Sequence, residues 1–197
     1  MILINQNDYP DIPYPTNASD PSSYSYLNGT IASSGCGLCS LCMLVDQLTL
    51  QKLDLIQCRD LSIEHKANLK VGTSMKVLGP VVAEMYGLTF DTSDDEKDMI
   101  ACLRNGGRVI INVGGDHDDH IGSFSHIGHY ILATGCQNGL IRIIDPDYSR
   151  AKYQEGDRPQ KVIDADGILY AAPEVVHADT LNRSPGYYLF NSKGASL

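Results

Sequence analysis

The hydrophobic pattern changes period partway along the chain, and that change restricts the fold more than any other feature. Up to Gly106 the apolar runs have helical spacing. A stretch at 38–53 lacks Gly and Pro and follows the punctuating Gly35. Residues 74–86 predict a second helix, kinked near Pro80 and closed by Gly87. A third is predicted over 94–105, with Ser93 and Glu96 as a capping box, Met99, Ile100 and Leu103 as its buried stripe, and Gly106 as its end. Beyond it, 108–113, 130–134, 140–144 and 187–190 are short runs rich in β-branched or apolar residues. Asn138-Gly139 between two of them is a hairpin signal. Helices first and antiparallel strands afterwards predict an α+β fold. Residues 1–35, rich in Pro, Ser, Asn, Asp and Tyr, predict irregular backbone, and the polar stretch 145–185 is expected to wrap the surface or border a substrate groove.

With 197 residues and 43% hydrophobic content, the chain can bury one sizeable core, and a single domain over 1–197 is expected. A formal charge of -9 argues against nucleic acid as a partner, because phosphate binding needs Lys and Arg. No apolar run approaches the roughly 20 residues of a membrane span. The first residues, Met-Ile-Leu-Ile-Asn-Gln, lack the basic region and apolar block of a signal peptide. Location stays open between the cytoplasm and a secreted parent. Oligomeric state is not indicated, and no cofactor is expected. Six cysteines are too few for a small disulfide scaffold, and three of them crowd into one segment, as reduced thiols or a metal site.

That segment, Ser33-Ser34-Gly35-Cys36-Gly37-Leu38-Cys39, places Cys36 where irregular chain becomes helix. A free thiol has a pKa of about 8.5, which a helix N-terminus and a nearby imidazolium lower. Unpaired N–H groups of the first helical turn can receive the oxyanion formed when a thiolate attacks a carbonyl. Flanking Gly35 and Gly37 admit a substrate closely. A buried structural cysteine is the plain alternative. Cys36, Cys39 and Cys42 also have the C-x₂-C-x₂-C spacing of iron–sulfur ferredoxins. That motif needs a further x₃-C-P, where this chain has Asp46-Gln47, so Cys39 and Cys42 read more simply as small buried residues on one helix face.

Of six histidines, His65 and His177 sit in polar surroundings and are expected to be solvated. His117 and His120 belong to a polar loop, 114–120, that reads as a solvated acidic loop or, less simply, a metal site. His126 and His129 lie where this loop enters a strand, and His129 opens the run His-Tyr-Ile-Leu-Ala-Thr-Gly. A histidine there is a candidate base, or a core-edge residue bonded to backbone. Asp145, ending the next strand before Pro146, must be solvated or paired; paired with His129 it fixes the imidazole tautomer. A strict two-residue turn at 138–139 would put Leu132 opposite Asp145 and turn His129 to the other face. A shared face requires a bulge, expected at Gly135 or Cys136. An asparagine at 145 would keep an acceptor for the ring N–H.

The ordered set Gln6, Gly35-Cys36-Gly37, His129-Tyr130, Thr134-Gly135 and Asp145-Pro146 resembles the peptidase branch that includes bacteriocin leader-processing (double-glycine) peptidases. The resemblance runs from Gln6 to the last Tyr-rich strand. It implies a papain-like fold, with N-terminal helices packed against a C-terminal antiparallel sheet. It further implies thiolate Cys36, general base His129, orienting Asp145, and Gln6 as side-chain donor to the oxyanion. Leu38 stands where the family commonly has Pro, and Cys39 where it has Thr or Ser. The expected activity is cleavage of an amide bond in a peptide through a Cys36 thioester. The alternatives are an amidase acting on cell-wall peptide or another non-protein amide, and a catalytically silent binding module of the same fold.

Overall fold

The computed structural model describes residues 2–70 and 72–194. After a 3-10 turn at Gln6–Asp8 come helices α1 (Tyr24–Asn28), α2 (Ile31–Ser34), α3 (Cys36–Leu48), α4 (Leu55–Glu64) and α5 (Met75–Met85). Strand β1 (Leu88–Ser93) and helix α6 (Glu96–Arg104) lead into β2 (Arg108–Val113), β3 (His129–Gln137) and β4 (Leu140–Ile144). The chain closes through α7 (Arg158–Lys161), β5 (Val162–Ala165), β6 (Ile168–Ala171), α8 (Pro173–Ala178) and β7 (Tyr187–Ser192). The strands form one sheet in the order β1-β7-β2-β3-β4-β6-β5, and its pairings are antiparallel.

Both faces of the sheet are covered, as the period-2 alternation of its central strands dictates. Ile110, Leu132, Ile144, Tyr188 and Phe190 pack under α3, α4 and α5. Their neighbours Val109, Ile111, Ile131, Ile141 and Ile143 face the other way, with Met99 and Leu103 of α6 and Val176 of α8. Helix α3 is enclosed by β2, β3, α4 and α5, which is why it is apolar around most of its girth. Leu38, Leu41 and Leu44 are fully buried, each contributing about 1.5–3 kcal/mol relative to exposure. The start of α3 is therefore a rigid platform. No helix among the described residues is long and apolar enough to cross a membrane.

Several local expectations need correction. The first long helix spans 36–48 rather than 38–53, and α4 was not foreseen. Only Leu55, Cys58 and Ser62 of α4 are buried, so its pattern is faint; Asp54 starts it by accepting from the Ile56 and Gln57 N–H groups. The capping box at Ser93 does not form. Asp95 caps α6 by accepting from Lys97 N–H, and Ser93 ends β1 with its hydroxyl donating to Asp98. The stretch 145–185 carries the β5–β6 hairpin and α8 besides its turns. His177 is not simply solvated: its Nδ1 lies 2.8 Å from the Tyr187 hydroxyl, and the two rings stack.

The β3–β4 hairpin positions the site. Asn138 and Gly139 both have positive φ (53° and 79°), the backbone of a tight type I′ turn. Pairing runs Gln137↔Leu140, Cys136↔Ile141 and Gly135↔Arg142, then resumes as Ala133↔Ile143 and Leu132↔Ile144. Thr134 is the extra residue, one position before those expected. Its hydroxyl accepts from Arg142 Nη1 at 2.8 Å and donates to the Arg142 carbonyl at 3.3 Å, which pins the bulge. Past it, Asp145 falls on the same face as Ile131 and His129.

Candidate active site

The short helix α2 and the long helix α3 meet at Gly35, and Cys36 begins the second of them. The break needs glycine, since a Cβ at residue 35 would lie 2.5 Å from the Ile31 carbonyl oxygen and 2.6 Å from Ile31 Cγ2. Gly37 is also constrained. A Cβ there would stand 3.0 Å from Thr73 Cβ and 3.2 Å from Tyr130 Cδ2. Thr73 is held in turn by a buried hydroxyl cluster in which Tyr14 bridges it (2.8 Å) and Ser62 of α4 (2.7 Å). Inside α3 the first backbone bond runs from Cys39 N–H to the Gly35 carbonyl, 2.9 Å. The N–H groups of the turn before it lack intrahelical acceptors.

The Cys36 thiol is half-buried and lines a groove of about 440 Å³, within the usual range for ligand clefts. Its lining comes from the segment Leu69, Lys70 and Gly72–Lys76 and from Asn112, Gly128–Tyr130, Asn182–Ser184 and Tyr188. A second, more open concavity lined by Asp94, Asp95, Glu96, Lys97 and His177 contains neither Cys36 nor His129. Burial pushes the Cys36 thiol up. The charge of His129, its hydrogen bond, and the N–H groups of Tyr130 and Gly37 outweigh that and leave the thiol below its ordinary value. Cys39, Cys42, Cys58 and Cys102 are buried. Burial raises the thiols of Cys39 and Cys102, and Cys42 is raised first by its hydrogen bond with Cys58 and then by burial.

His129 is 8% exposed, at the mouth of β3 opposite Val113. Its Nε2–H donates to Asp145 Oδ1 at 2.7 Å, leaving Nδ1 for the sulfur. Burial lowers the imidazolium pKa, but the Asp145 and Cys36 charges dominate and raise it to about 10. Both shifts, Cys36 down and His129 up, favour the ionised form of the pair. Asp145 is buried and accepts four hydrogen bonds. Besides His129, Asp147 N–H reaches Oδ1 (2.8 Å), while Lys152 Nζ (2.8 Å) and the Tyr153 hydroxyl (2.7 Å) reach Oδ2. Burial alone would raise this carboxyl; the charges of His129 and Lys152 hold it well below the usual carboxylate range.

The structure therefore brings Cys36, His129 and Asp145 into one chain of contacts. Gln6 is not among the residues that line the groove, and its backbone N–H donates to the Pro146 carbonyl at 2.7 Å. Its Nε2 donates to the Ala32 carbonyl at 2.7 Å, and its Oε1 is buried without a partner. His126 and His120 do not touch the sulfur. His126 Nδ1 lies 3.0 Å from Asp116, and His120 Nε2 donates to the fully buried Asp179 at 2.7 Å. The loop is therefore not merely solvated. Asp179 also accepts from the Ser123 and Phe124 N–H groups and organises the loop from inside. Sequence reasoning missed Lys152, Tyr153 and Asp179, whose polar local surroundings carry no signal.

No family model and no curated protein sequence matches the chain. Among solved structures, one named for a C39-like peptidase from Bacillus anthracis superposes with a TM-score of 0.54 at 11% identity, covering 100% of both chains. The peptidase domain of Streptococcus ComA, a bi-functional ABC transporter of a quorum-sensing pathway, aligns over 70% of this chain and 90% of that one, with a TM-score of 0.40 and 17% identity. Helices covering an antiparallel sheet, with a cysteine opening the central helix, are the α+β arrangement that the sequence resemblance implied, and the fold is similar to that of the C39-like peptidase.

Proposed function

We propose that residues 1–197 act as one domain that hydrolyses an amide bond, in a peptide, through a Cys36 thioester. The observation that carries this reading is the hydrogen-bonded chain Cys36–His129–Asp145, which opens on the groove at its sulfur end and is closed by Lys152 and Tyr153 at the other. Cys36 Sγ attacks the carbonyl carbon. A C–S bond forms, and the oxygen takes the negative charge beside the unpaired N–H groups of the first turn of α3. Gln6 is the proposed side-chain donor to that oxygen, through the second N–H of the amide that Ala32 already orients. His129 passes its Nδ1 proton to the amide nitrogen, the C–N bond breaks, and the amine leaves. Water then gives a proton to His129 and its oxygen to the thioester carbon. The C–S bond breaks, which releases the carboxylic acid, whose proton passes to solvent, and restores the thiolate–imidazolium pair. Asp145 stays ionised, holding the ring with Nδ1 toward sulfur.

Limiting iodoacetamide at neutral pH, followed by mass spectrometry, tests the nucleophile. Cys36 is expected to be alkylated before Cys136, the other partly exposed thiol, and well before the four buried ones. Hydrolysis of a peptide library should be lost with Cys36→Ala and survive a fluorophosphonate. Equal or slower alkylation of Cys36 would overturn the assignment. Rapid alkylation with no hydrolysis of any peptide would point to the silent module.

A further inference from the structure

The chain carries 24 acidic and 15 basic residues, yet the groove beside Cys36 runs against that balance. Lys70, Lys76 and Arg183 line it, and no Asp or Glu does. Arg183 is the most constrained of the three. Its guanidinium lies over Gly128, where a Cβ would stand 2.4 Å from Nη2, and Gly128 immediately precedes His129. The charge is thus built against the backbone that carries the base. Of the five N–H donors of this side chain, only Nη2 has an acceptor among the described residues, the Gly114 carbonyl at 3.3 Å. The Nε atom is buried with no partner. Asp94 lies nearby but is taken by the Ser184 hydroxyl (2.8 Å) and Gly186 N–H (2.7 Å) rather than by Arg183. Lys70 and Lys76, from another segment of the lining, form no ion pair with the described residues either.

A guanidinium with unused donors in a half-enclosed site is costly unless an acceptor arrives. The acceptor that suits its planar fork is a carboxylate, which accepts two parallel N–H bonds. We infer that the groove selects peptides bearing a carboxylate close to the scissile bond, gripped by Arg183 beside Gly128, with Lys70 and Lys76 of the same lining steering it in. This deepens the hydrolase reading and rests on its use of the same groove. Two sources share the chemistry, an acidic side chain and a free chain terminus. Cationic walls around the thiolate–imidazolium pair also draw such peptides in faster at low salt.

The test is an NMR titration of the full chain carrying Cys36→Ala, so that binding is read without turnover. The probes are Ala/Gly octapeptides with Glu, Gln or Lys at the centre, each with a free or an amidated C-terminus. A carboxylate-bearing peptide is expected to bind about tenfold or more tightly than its neutral counterpart. The Lys peptide should bind worst, and the contrast should shrink with added salt. A contrast that follows Glu assigns the carboxylate to a side chain; one that follows the free terminus assigns it to the chain end. Arg183→Gln should erase most of the contrast. Lys76→Gln, at an exposed position in the first turn of α5, should reduce it and remains informative if the Arg183 variant fails to fold. Equal binding of charged and neutral peptides, or no binding of any at millimolar concentration, overturns the inference. If the contrast holds while the wild-type protein neither cleaves these peptides nor alkylates preferentially at Cys36, the hydrolase reading falls and the anion-selective groove stands. Cleavage without contrast has the opposite meaning.

Discussion

Replacing Asp145 by asparagine tests whether the carboxylate only orients His129 or also neutralises a buried cluster. On the sequence alone the change is mild, because an amide oxygen still accepts the ring N–H. The structure argues otherwise. Both carboxylate oxygens are in use, and Oδ2 accepts from Lys152 Nζ at 2.8 Å and from the Tyr153 hydroxyl at 2.7 Å. If the amide keeps its oxygen toward His129, its NH₂ group faces an ammonium and a hydroxyl. Tyr153 can rotate to accept, but Lys152 cannot. Removing one partner of a buried ion pair costs about 3–5 kcal/mol. Lys152 keeps Asp147, whose Oδ2 is 3.2 Å away and whose carbonyl oxygen is 3.3 Å away, which brings the expected loss to about 2–4 kcal/mol. For a chain of this size that lowers Tm by roughly 5–15 °C. Chemistry suffers separately. The imidazolium loses its largest favourable charge, so its pKa drops, the Cys36 thiol rises toward its ordinary value, and turnover falls by about 10²–10⁴. Thermal unfolding, together with the pH dependence of iodoacetamide alkylation at Cys36, reads both effects. A variant whose Tm stays within about 2 °C of wild type, with an unmoved alkylation profile, would refute the reasoning.

Two further expectations follow from the same cluster. The pH dependence of stability is set by opposed shifts: His129 is raised from 6.5 to about 10 and Cys36 is lowered from 9.0. The stability from His129 is lost as pH rises from about 6.5 to 10, while that from Cys36 grows up to about pH 9, so the two oppose each other below pH 9. Above pH 9 only the folded His129 retains a proton, so stability and turnover should fall through about pH 10. A Tm that rises across pH 9–10 would reverse the sign. Asp145, depressed in the fold, contributes stability that is lost as pH falls below about 4. Deleting Thr134 should remove the bulge yet keep Leu132 opposite Ile144 and Ile131 opposite Asp145, so His129 and Asp145 still share a face and turnover should survive. Loss of turnover in the deletion variant, at unchanged circular dichroism, would show that the bulge itself, and not the register alone, sets the site.

The parts of this protein legible in the sequence are those encoded within a few residues. Gly35-Cys36-Gly37 before an apolar run marks a thiol at a helix start because backbone freedom and helix polarity are local properties. The strand opened by His129, the Asn138-Gly139 turn and Asp145-Pro146 are equally local. Strand periodicity of two then makes the need for a bulge a matter of counting. Its position was not countable, because Thr134 holds it through the Arg142 side chain across the hairpin. The edge strands β1 and β5 were invisible for another reason. Half their residues face solvent, and a sequence such as Leu-Thr-Phe-Asp-Thr-Ser alternates over only four residues before turning polar. Least legible were the charges. Lys152 and Tyr153 on Asp145, Asp179 under the loop, and Arg183 against Gly128 sit in polar stretches whose local pattern says only turn or surface. Electrostatic and hydrogen-bond partners act through space at a few ångströms, whatever their separation along the chain. Sequence pattern therefore located the proposed nucleophile and base, and only the tertiary structure decided what surrounds their charges and what lines the groove before them.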